Sequence, residues 1–484
     1  MPRRIRSRQL AAWRDPELVF EARFADAPYA VWLDGGADAA SGVSILAAVH
    51  AASEFVTADA ARGTVTRGTP AAVVGVQVTR EASIFDVLAE HLGEVVTRDT
   101  TAAGALGWFG WFGYELGGRL NDVPIEKAET PDAAFLFVDR AVVFDHGARV
   151  VRLVWLEPGL EDGAELRRWA DDLEAAIAAL GEGPAVASRG STPGLPTAAR
   201  EPAAAAAVRW RHDPTRYAEL IAECQAAIIR GDAYQLCLTN RVDVDVHPDP
   251  AAAYLALRAS SPSHHGGYLR FGDIALLSAS PELFLHVSAD GLVSTKPMKG
   301  TRPRGASAAR DAALRRELIE SDKERAENLM IVDLMRNDLG RIAELGTVSV
   351  PSLLEVEEYA HVHQLVSTVQ ARLRHPLTAL DVVRAAFPAG SMTGAPKRSA
   401  MTILHALEGG PRGVYSGAFG YLAVDGSADL AMVIRSIVIT PSGASIGTGG
   451  GITALSVADE EIEETRVKAR ALLAVLGAAS GTAE

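Results

Sequence analysis

The segment of residues 323–342 reads KERAENLMIVDLMRNDLGRI. Its apolar residues recur at helical spacing, which predicts an amphipathic helix. Glu324 and Glu327 lie three residues apart, and Glu327 shares a stripe with Ile331 and Leu334, so that this carboxylate is expected to turn toward apolar packing. A carboxylate on a buried stripe is costly unless it is paired or bound to a metal. The helix is therefore expected to carry part of a site as well as part of the core.

A second helix repeats this arrangement in EIEETRVKARALLAVL, residues 461–476. Glu461, Glu464 and Lys468 share a stripe with Leu472. Two helices that each offer a glutamate pair could build an all-oxygen site for a hard cation, Mg²⁺ above all. The alternative is a pair of solvated helix faces with ion pairs such as Glu464–Lys468.

The segment SPELFLHVSADGLVSTKPMKGTRPRG, residues 280–305, predicts a strand hairpin with a cluster of cations on one arm and Glu282 on the other. Its cations are Lys296, Lys299, Arg302 and Arg304. A lysine can act as a nucleophile if its neighbours lower its pKa, and we expect the nearby cations to do so for Lys299. Glu282 could be a general acid if burial raises its pKa. The alternative is a solvated basic hairpin.

Two further segments carry hydroxyls and glycines. In GSMTGAPKRSAM, residues 390–401, Ser391 precedes a helix expected to start near Pro396. The segment could form an anion cradle, or the hydroxyl could simply cap the helix. In SIGTGGGITALS, residues 445–456, three consecutive glycines could let backbone N–H groups approach a ligand carboxylate, although a tight turn is the alternative. Neither a dinucleotide fingerprint nor a Walker A loop is matched.

The composition narrows the class of protein. The 484 residues contain 47 Lys+Arg and 61 Asp+Glu, a net charge of −14, which argues against a nucleic-acid or anionic-membrane partner. We find no apolar run long enough to span a membrane and no secretory signal. Two cysteines exclude a disulfide scaffold and fit a reducing cytoplasm. Taken together with the glutamate pairs and the possible anion-binding segments described above, the composition indicates a cytoplasmic enzyme that uses Mg²⁺ and acts on a small carboxylate.

The chain is expected to divide at residues 181–207, which are rich in Gly, Pro, Ser and Ala and predict a flexible linker or surface loop. It would separate an N-terminal region, 1–180, from a catalytic domain, 208–478, followed by a tail, 479–484. Strands are predicted at 71–78, 133–138 and 148–156, a buried aromatic–glycine segment at 104–118, and a helix over 310–339 that breaks near Ser321. The pattern indicates an α/β (α+β) fold with largely antiparallel sheets.

Several motifs resemble one known family, in order along residues 210–475. They are SPELF, PMKGTRPRG, KERAENLMIVDLMRNDLGRI, VHQLVSTV, GSMTGAPKRSAM, YSGAFGY, VIRSI and GGGITALSVADEEIEETRVKA. They resemble the chorismate-utilising enzymes, which include anthranilate, aminodeoxychorismate, isochorismate and salicylate synthases. WLDGG (32–36) and GWFGYELGG (110–118) resemble the N-terminal half of the first two groups. The resemblance implies two large, mostly antiparallel sheets packed face to face, with helices outside.

Two positions sort the branches of this family. Isochorismate and salicylate synthases carry a water-activating lysine where this chain has Gln235, and an amide is no base. Anthranilate synthases carry alanine where this chain has Lys299, whereas the branch that aminates C4 of chorismate carries a nucleophilic lysine. The resemblance therefore implies C4 amination, the first step of 4-aminobenzoate and folate synthesis. The alternatives are anthranilate synthase component I and a non-catalytic chorismate-binding subunit.

The resemblance also assigns roles. Lys299 would be the nucleophile and Glu282 the general acid, while Glu327 and Glu464 would bind Mg²⁺ with Glu324 and Glu461 beside them. The implied substrate-binding residues are Gly300, Thr301, Ser391, Tyr415, Arg435, Gly449, Gly450, Gly451 and Lys468. Neither cysteine lies in a glutaminase elbow, so ammonia would come from glutamine through a separate amidotransferase subunit. Gln364 stands where the family often has histidine, and no tryptophan-sensing LLES motif is present.

Overall fold

The computed structural model describes residues 3–70, 77–92, 95–97, 104–157, 163–181, 207–359 and 362–478. The predicted linker, apart from its two end residues, lies outside this part of the chain. So do the predicted tail and most of the predicted strand 71–78. The domain boundaries therefore stay predictions.

The strands of the described residues, in chain order, are β1 (Arg3–Gln9), β2 (Tyr29–Asp34), β3 (Val43–Ala48), β4 (Phe55–Asp59), β5 (Thr64–Gly68), β6 (Val78–Glu81), β7 (Val95–Thr97), β8 (Gly107–Phe112), β9 (Ala133–Val138), β10 (Arg140–Asp145), β11 (Val150–Glu157), β12 (Val208–Trp210), β13 (Gln235–Val244), β14 (His265–Phe271), β15 (Ile274–Ser280), β16 (Leu283–Val287), β17 (Leu292–Thr295), β18 (Met298–Pro303), β19 (Ser349–Glu358), β20 (Val362–Arg372), β21 (Gly394–Ala395), β22 (Ala418–Ala423), β23 (Ala428–Met432), β24 (Ser436–Thr440) and β25 (Gly443–Ile452). The helices are α1 (Pro16–Arg23), α2 (Ile84–Ala89), α3 (Tyr114–Leu120), α4 (Ala164–Ala179), α5 (Pro214–Ile229), α6 (Pro250–Ser260), α7 (Ala308–Glu320), α8 (Asp322–Gly340), α9 (Ala379–Ala386), α10 (Lys397–Glu408) and α11 (Ala458–Val475).

The strands form two large sheets. One runs in the order β12-β13-β25-β24-β15-β14-β2-β3-β10-β11-β1-β7, with β21 added at β13. The other runs β18-β20-β17-β16-β23-β22-β8-β9-β4-β5-β6, with β19 added at β20. Neighbouring strands are antiparallel, apart from the parallel pair β1–β7 at one edge. The predicted fold class is confirmed.

Both halves of the chain contribute to both sheets. β2 pairs with β14 in one sheet, with Trp32 opposite Tyr268. β8 pairs with β22 in the other, with Gly110 opposite Gly420. The strands that precede the predicted linker are therefore continuous, by hydrogen bonding, with the strands that carry the predicted site.

The sheets bury their facing surfaces against each other. Phe109 and Trp111 of β8 pack in one cluster with Leu269 and Phe271 of the opposite sheet, as the aromatic–glycine segment 104–118 predicts. At Gly267 the sheets approach so closely that a Cβ would lie 2.3 Å from the Phe419 ring, which explains the absence of a side chain there. Burial of these large rings supplies much of the hydrophobic stabilisation of the core.

Helices cover the outer faces and bring the two predicted glutamate pairs to the site. α7 and α8 are separate helices, because Ser321 has extended backbone and its hydroxyl caps α8 by accepting from the Glu324 N–H. The predicted break near Ser321 is confirmed. α8 packs against β20 of one sheet and α11 against β25 of the other. Glutamates of both helices line the same cavity.

Candidate active site

A cavity of about 750 Å³ lies beside α8, α11 and the ends of β18 and β25. Every residue predicted as catalytic, substrate-binding or metal-binding lines it: Glu282, Lys299, Gly300, Thr301, Glu324, Glu327, Ser391, Tyr415, Arg435, Gly449, Gly450, Gly451, Glu461, Glu464 and Lys468. The fold thus brings together segments nearly 190 positions apart in sequence. The volume is in the range of small-molecule sites.

Lys299 reaches the cavity through a bulge in β18. Met298 lies opposite Val366 of β20, but Thr301 lies opposite Gln364, so β18 holds one extra residue between these pairs. Gly300 takes a φ of +82° there, a conformation that favours glycine. Bulges re-aim side chains and are frequent near active sites. The side chain of Lys299 is 17 % exposed, and its Nζ lies 3.7 Å from Glu327.

The predicted effect of neighbouring cations on Lys299 is wrong, because each of those cations has its own carboxylate. Lys296 lies 2.9 Å from Glu357, Arg302 lies 2.9 Å from Glu317, and Arg304 lies 2.9 Å from Asp311. Burial lowers the pKa of Lys299, but the glutamates around the cavity, Glu327 foremost, outweigh it and leave the pKa raised. The cavity therefore favours the ammonium form of Lys299, and the lysine must lose a proton before it can act as a nucleophile.

Glu282 has the environment of a carboxylic acid that keeps its proton. Its side chain is buried at the end of β15, and burial raises its pKa to about 7, against the opposing influence of Lys299 and of the Ser391 hydroxyl. The Ser391 Oγ donates a hydrogen bond of 2.9 Å to Glu282 Oε1. A pKa near neutrality is what general-acid catalysis requires at physiological pH.

Ser391 does not cap a helix. It lies in a short 3₁₀ turn, Gly390–Met392, and α10 begins only at Lys397, after Pro396. The predicted helix start is confirmed, whereas the capping role and the helix N-terminal cradle predicted for the hydroxyl are wrong. Its hydrogen bond goes instead to Glu282, 109 positions away in sequence.

The three consecutive glycines lie in a strand, so the alternative of a tight turn is wrong. Gly449, Gly450 and Gly451 pair with β13 on one side, while the pairing of β25 with β24 stops at Ile446. They line the cavity, where the Gly449 carbonyl accepts a 2.7 Å hydrogen bond from Lys468 Nζ. A Cβ on Gly450 would lie 2.9 Å from a Glu461 oxygen, so a side chain would fill the space beside the carboxylates.

The carboxylates of α8 and α11 face lysines. Glu464 lies 2.6 Å from Lys468, the predicted i,i+4 pair, and Glu461 lies 3.4 Å from Lys323. Burial opposes the charge of Glu464, but Lys468 outweighs it and lowers the pKa, whereas burial raises the pKa of Glu327. Among the described residues, no three carboxylate, histidine or cysteine side chains converge at metal-binding distance. The oxygen donors suit a hard cation in their chemistry, but such an ion would have to replace the lysines.

Arg435 and Tyr415 complete the cavity wall. Arg435 takes a left-handed φ of +51°, a strained conformation for a residue with a side chain, and its side chain is open to the cavity. Tyr415 packs over Gly447, where a Cβ would lie 2.0 Å from the ring. Within the described residues Arg435 has no ion pair, so its guanidinium is free to bind a carboxylate.

Two amides noted in the sequence, Gln235 at a position that sorts the family and Gln364 where the family often has histidine, both lie close to the site. Gln364 lines the cavity, while the preceding His363 faces the other side of β20 and contacts Asp311 at 2.9 Å. Gln235 packs beneath Gly451, buried, and its Oε1 has no hydrogen-bond partner among the described residues. Neither amide can act as a base.

Several residues of the cavity wall escaped the sequence reasoning, among them Lys323 and Cys237. Lys323 immediately precedes the first glutamate pair and contacts Glu461. Cys237, predicted only as a small buried residue, is buried and also lines the cavity. The position of Lys323 beside a candidate ligand motif was a usable signal, whereas nothing in the sequence distinguished Cys237 from an ordinary core residue.

The fold and this site define a class, and comparison with known proteins identifies it. The family model described as chorismate binding enzyme matches residues 29–474, so the chain belongs to the chorismate-binding enzymes. It is 42 % identical over 501 residues to the aminodeoxychorismate synthase of Streptomyces pristinaespiralis (98 % of this chain) and 43 % identical over 500 residues to that of Streptomyces griseus (99 % of this chain). The chain spans 65 % of the length of each of these relatives.

The solved structures support the same family. Anthranilate synthase component I from Streptococcus pneumoniae superposes with a TM-score of 0.72 at 29 % identity, over 89 % of this chain and 92 % of that chain. Separately, no helix in the described part of the chain is long and apolar enough to cross a membrane.

Proposed function

We propose that this chain converts chorismate and ammonia to 4-amino-4-deoxychorismate, the activity named in its Streptomyces relatives. The observation that carries the proposal is Lys299. A bulge directs this lysine into the same cavity as the buried Glu282, where an anthranilate-forming enzyme of this family would carry alanine. The product would serve 4-aminobenzoate and folate synthesis.

The reaction proceeds by two allylic displacements. Lys299 first loses its ammonium proton to solvent. The free amine then attacks C2 of chorismate, the ring double bonds shift, and the C4 hydroxyl leaves as water with a proton from Glu282. Ammonia then adds at C4, the double bonds shift back, and the C2–nitrogen bond to Lys299 breaks. The ammonium-derived amine loses one proton, which restores the proton of Glu282. Net, chorismate and ammonia give 4-amino-4-deoxychorismate and water.

The binding roles follow from the cavity wall. Arg435 is suited to a bidentate contact with a substrate carboxylate, and the backbone of Gly449–Gly451 and the Tyr415 hydroxyl offer further donors. Gly300, Thr301, Ser391 and Lys468 are proposed to surround the substrate. We assign Mg²⁺ to Glu327 and Glu464, with Glu324 and Glu461 beside them, and bound Mg²⁺ would neutralise and hold the ring carboxylate.

Ammonia would come from glutamine through a separate amidotransferase subunit. The proposal is supported by the absence of a glutaminase elbow around either Cys224 or Cys237. Both cysteines are buried and unpaired, which supports a location in the reducing cytoplasm.

The test is product identification. Purified protein is incubated with chorismate, Mg²⁺ and ammonium at alkaline pH, and a lyase that releases 4-aminobenzoate is added. We expect 4-aminobenzoate only when the lyase is present. Anthranilate would favour the alternative, an anthranilate synthase component I, which the similarity to the Streptococcus pneumoniae structure supports. No turnover by folded protein that binds chorismate would indicate a non-catalytic subunit.

A further inference from the structure

A cluster of buried charged residues lies behind the cavity, outside the residues assigned above. Glu115, Glu408 and Arg412 are 5 %, 3 % and 6 % exposed. The Glu408 carboxylate accepts two hydrogen bonds from the Arg412 guanidinium, at 2.8 and 2.7 Å, in a bidentate pair. Such a pair is costly to desolvate and is weak evidence for a purely stabilising role. Its other contacts are therefore informative.

The same guanidinium holds two segments of the cavity wall. Its Nη1 donates to the Met392 carbonyl at 2.7 Å, and its Nη2 donates to the Cys237 carbonyl at 2.9 Å. Met392 and Cys237 both line the cavity, on the 3₁₀ turn and on β13 respectively. Arg412 thus fixes the spacing between these two segments without lying on the path of the substrate to Lys299.

The N-terminal half of the chain secures this arginine. The backbone N–H groups of Arg412 and Gly413 donate to the two carboxylate oxygens of Glu115, at 2.8 and 2.9 Å. The Tyr114 ring lies 4.1 Å from the guanidinium carbon. Both residues open α3, directly after the aromatic strand β8. The cluster therefore connects the N-terminal strands to the cavity.

The connection leads to the general acid. Met392 follows Ser391, whose hydroxyl donates to Glu282. We propose that Arg412 is a positioning residue for C4 amination: by holding the Met392 carbonyl it fixes the 3₁₀ turn, and through Ser391 it fixes the carboxyl group of Glu282. Glu115 serves the same purpose from the N-terminal half. The other charged groups that face Glu282 are Lys299 and Lys468. The kinetic part of this inference rests on the proposed function.

The experiment compares two buried arginines. Arg412→Lys keeps the charge but cannot bond Glu408, Met392 and Cys237 together. Arg140→Lys is the matched control, because Arg140 is equally buried and bidentate to Asp139 but contacts no residue of the cavity wall. We expect kcat to fall roughly tenfold to a hundredfold in Arg412→Lys, with KM for chorismate within about twofold. The control should lose thermal stability only.

A double-mutant cycle with Ser391→Ala distinguishes a positioning role of Arg412 from a general loss of structure. If Arg412 acts through the 3₁₀ turn, Ser391→Ala should add little to the loss already caused by Arg412→Lys, and both should move the Glu282-dependent limb of the pH profile in the same direction. Fully additive losses, or an Arg412 variant that behaves like the Arg140 control, would overturn the inference. If Arg412→Lys does not fold, Glu115→Gln is measured in the same way, with a smaller loss expected.

One measurement is independent of turnover. Hydrogen exchange of the peptide that contains residues 389–396 should be faster in Arg412→Lys than in wild type, and unchanged in Arg140→Lys. If wild type fails to aminate chorismate while this difference is seen, the proposed function fails and the positioning role stands. Unchanged exchange in both variants would contradict the positioning role.

Discussion

Two walls of one cavity use the same side chain in opposite ways. On the strand wall, Glu282 is buried at the end of β15, and burial raises its pKa to about 7. On the helix wall, Glu464 is about half exposed and lies 2.6 Å from Lys468, which lowers its pKa. Glu282 is therefore suited to hold a proton near neutral pH, and Glu464 to stay ionised. The environment of each glutamate, rather than the residue type, distinguishes the candidate acid from the candidate metal ligand.

The largest expected effect is on the strand wall. Lys299→Ala should reduce C4 amination by more than about 1,000-fold, because the covalent route is lost, and C2-amination products should appear. Product analysis by chromatography checks this, and intact-protein mass spectrometry of wild type without ammonia should detect an adduct on Lys299. Lys296→Ala, whose lysine pairs with Glu357, is the control and should keep its product. Unaltered product from Lys299→Ala would remove the lysine from the mechanism.

Glu282→Gln tests the acid itself. We expect a loss of roughly 1,000-fold, within the range for general acids. Since Glu282 must be protonated to act and its pKa is about 7, the ratio of wild-type kcat/KM to that of Glu282→Gln, at constant free ammonia, should fall as pH rises above about 7. Taking the ratio removes the titration of Lys299, which both enzymes share. A ratio that is flat from pH 6 to 8 would contradict the assignment.

Glu464→Gln tests the helix wall. Activity should fall by about 100-fold or more, since even outer-shell changes at metal sites cost about 10–100-fold. The melting temperature should stay nearly unchanged, because the side chain is about half exposed. Glu463→Gln, one position earlier and paired with arginines, is the control. Full activity of Glu464→Gln, or of wild type in excess EDTA, would refute the Mg²⁺ assignment.

The smallest effect is expected at the contact that tunes the acid. The Ser391 hydroxyl stabilises the charged form of Glu282, so Ser391→Ala should raise its pKa and move the falling limb of kcat/KM, taken relative to Glu282→Gln, to higher pH. The rate at the optimum should drop less than about tenfold, as expected for one hydrogen bond. Ser391→Thr should restore the limb. A shift to lower pH would show that the hydroxyl does not donate to Glu282.

Features that depend on residues close together in the sequence were predicted correctly, whereas contacts between remote segments were not. The break at Ser321 and the glutamate stripes of α8 and α11 are local, and helical spacing with a capping serine predicts them. The α/β class and the antiparallel sheets came from the pattern of strands and helices, whereas the packing of two large sheets and the membership of the site came from the resemblance to a family. Periodicity alone could not bring Glu282, Lys299 and Glu464 into one cavity.

The errors all concern contacts between distant segments. The sequence neighbours of Lys299 do not act on it as predicted, because each forms an ion pair with a carboxylate from a more distant segment. The pairs are Lys296 with Glu357, Arg302 with Glu317, and Arg304 with Asp311. Serine is a common helix cap, yet the hydrogen-bond partner of Ser391 is Glu282, in the link between β15 and β16. The glycine run fitted a turn equally well, because its strand partner β13 lies some 200 positions earlier. Register between remote strands is not encoded in a local pattern.

The place of β25 in its sheet has a consequence for synthesis of the chain. β13 pairs with β25, which occupies residues 443–452, and on its other side only with the short strands β12 and β21. At roughly 5–20 residues per second, a ribosome needs about 10–40 s to translate from β13 to β25. Throughout that interval the nascent polypeptide presents an uncovered ten-residue strand edge, half of it apolar, which is a template for intermolecular pairing. Folding yield in a cell should therefore depend on chaperone capacity and on codon usage between these two strands.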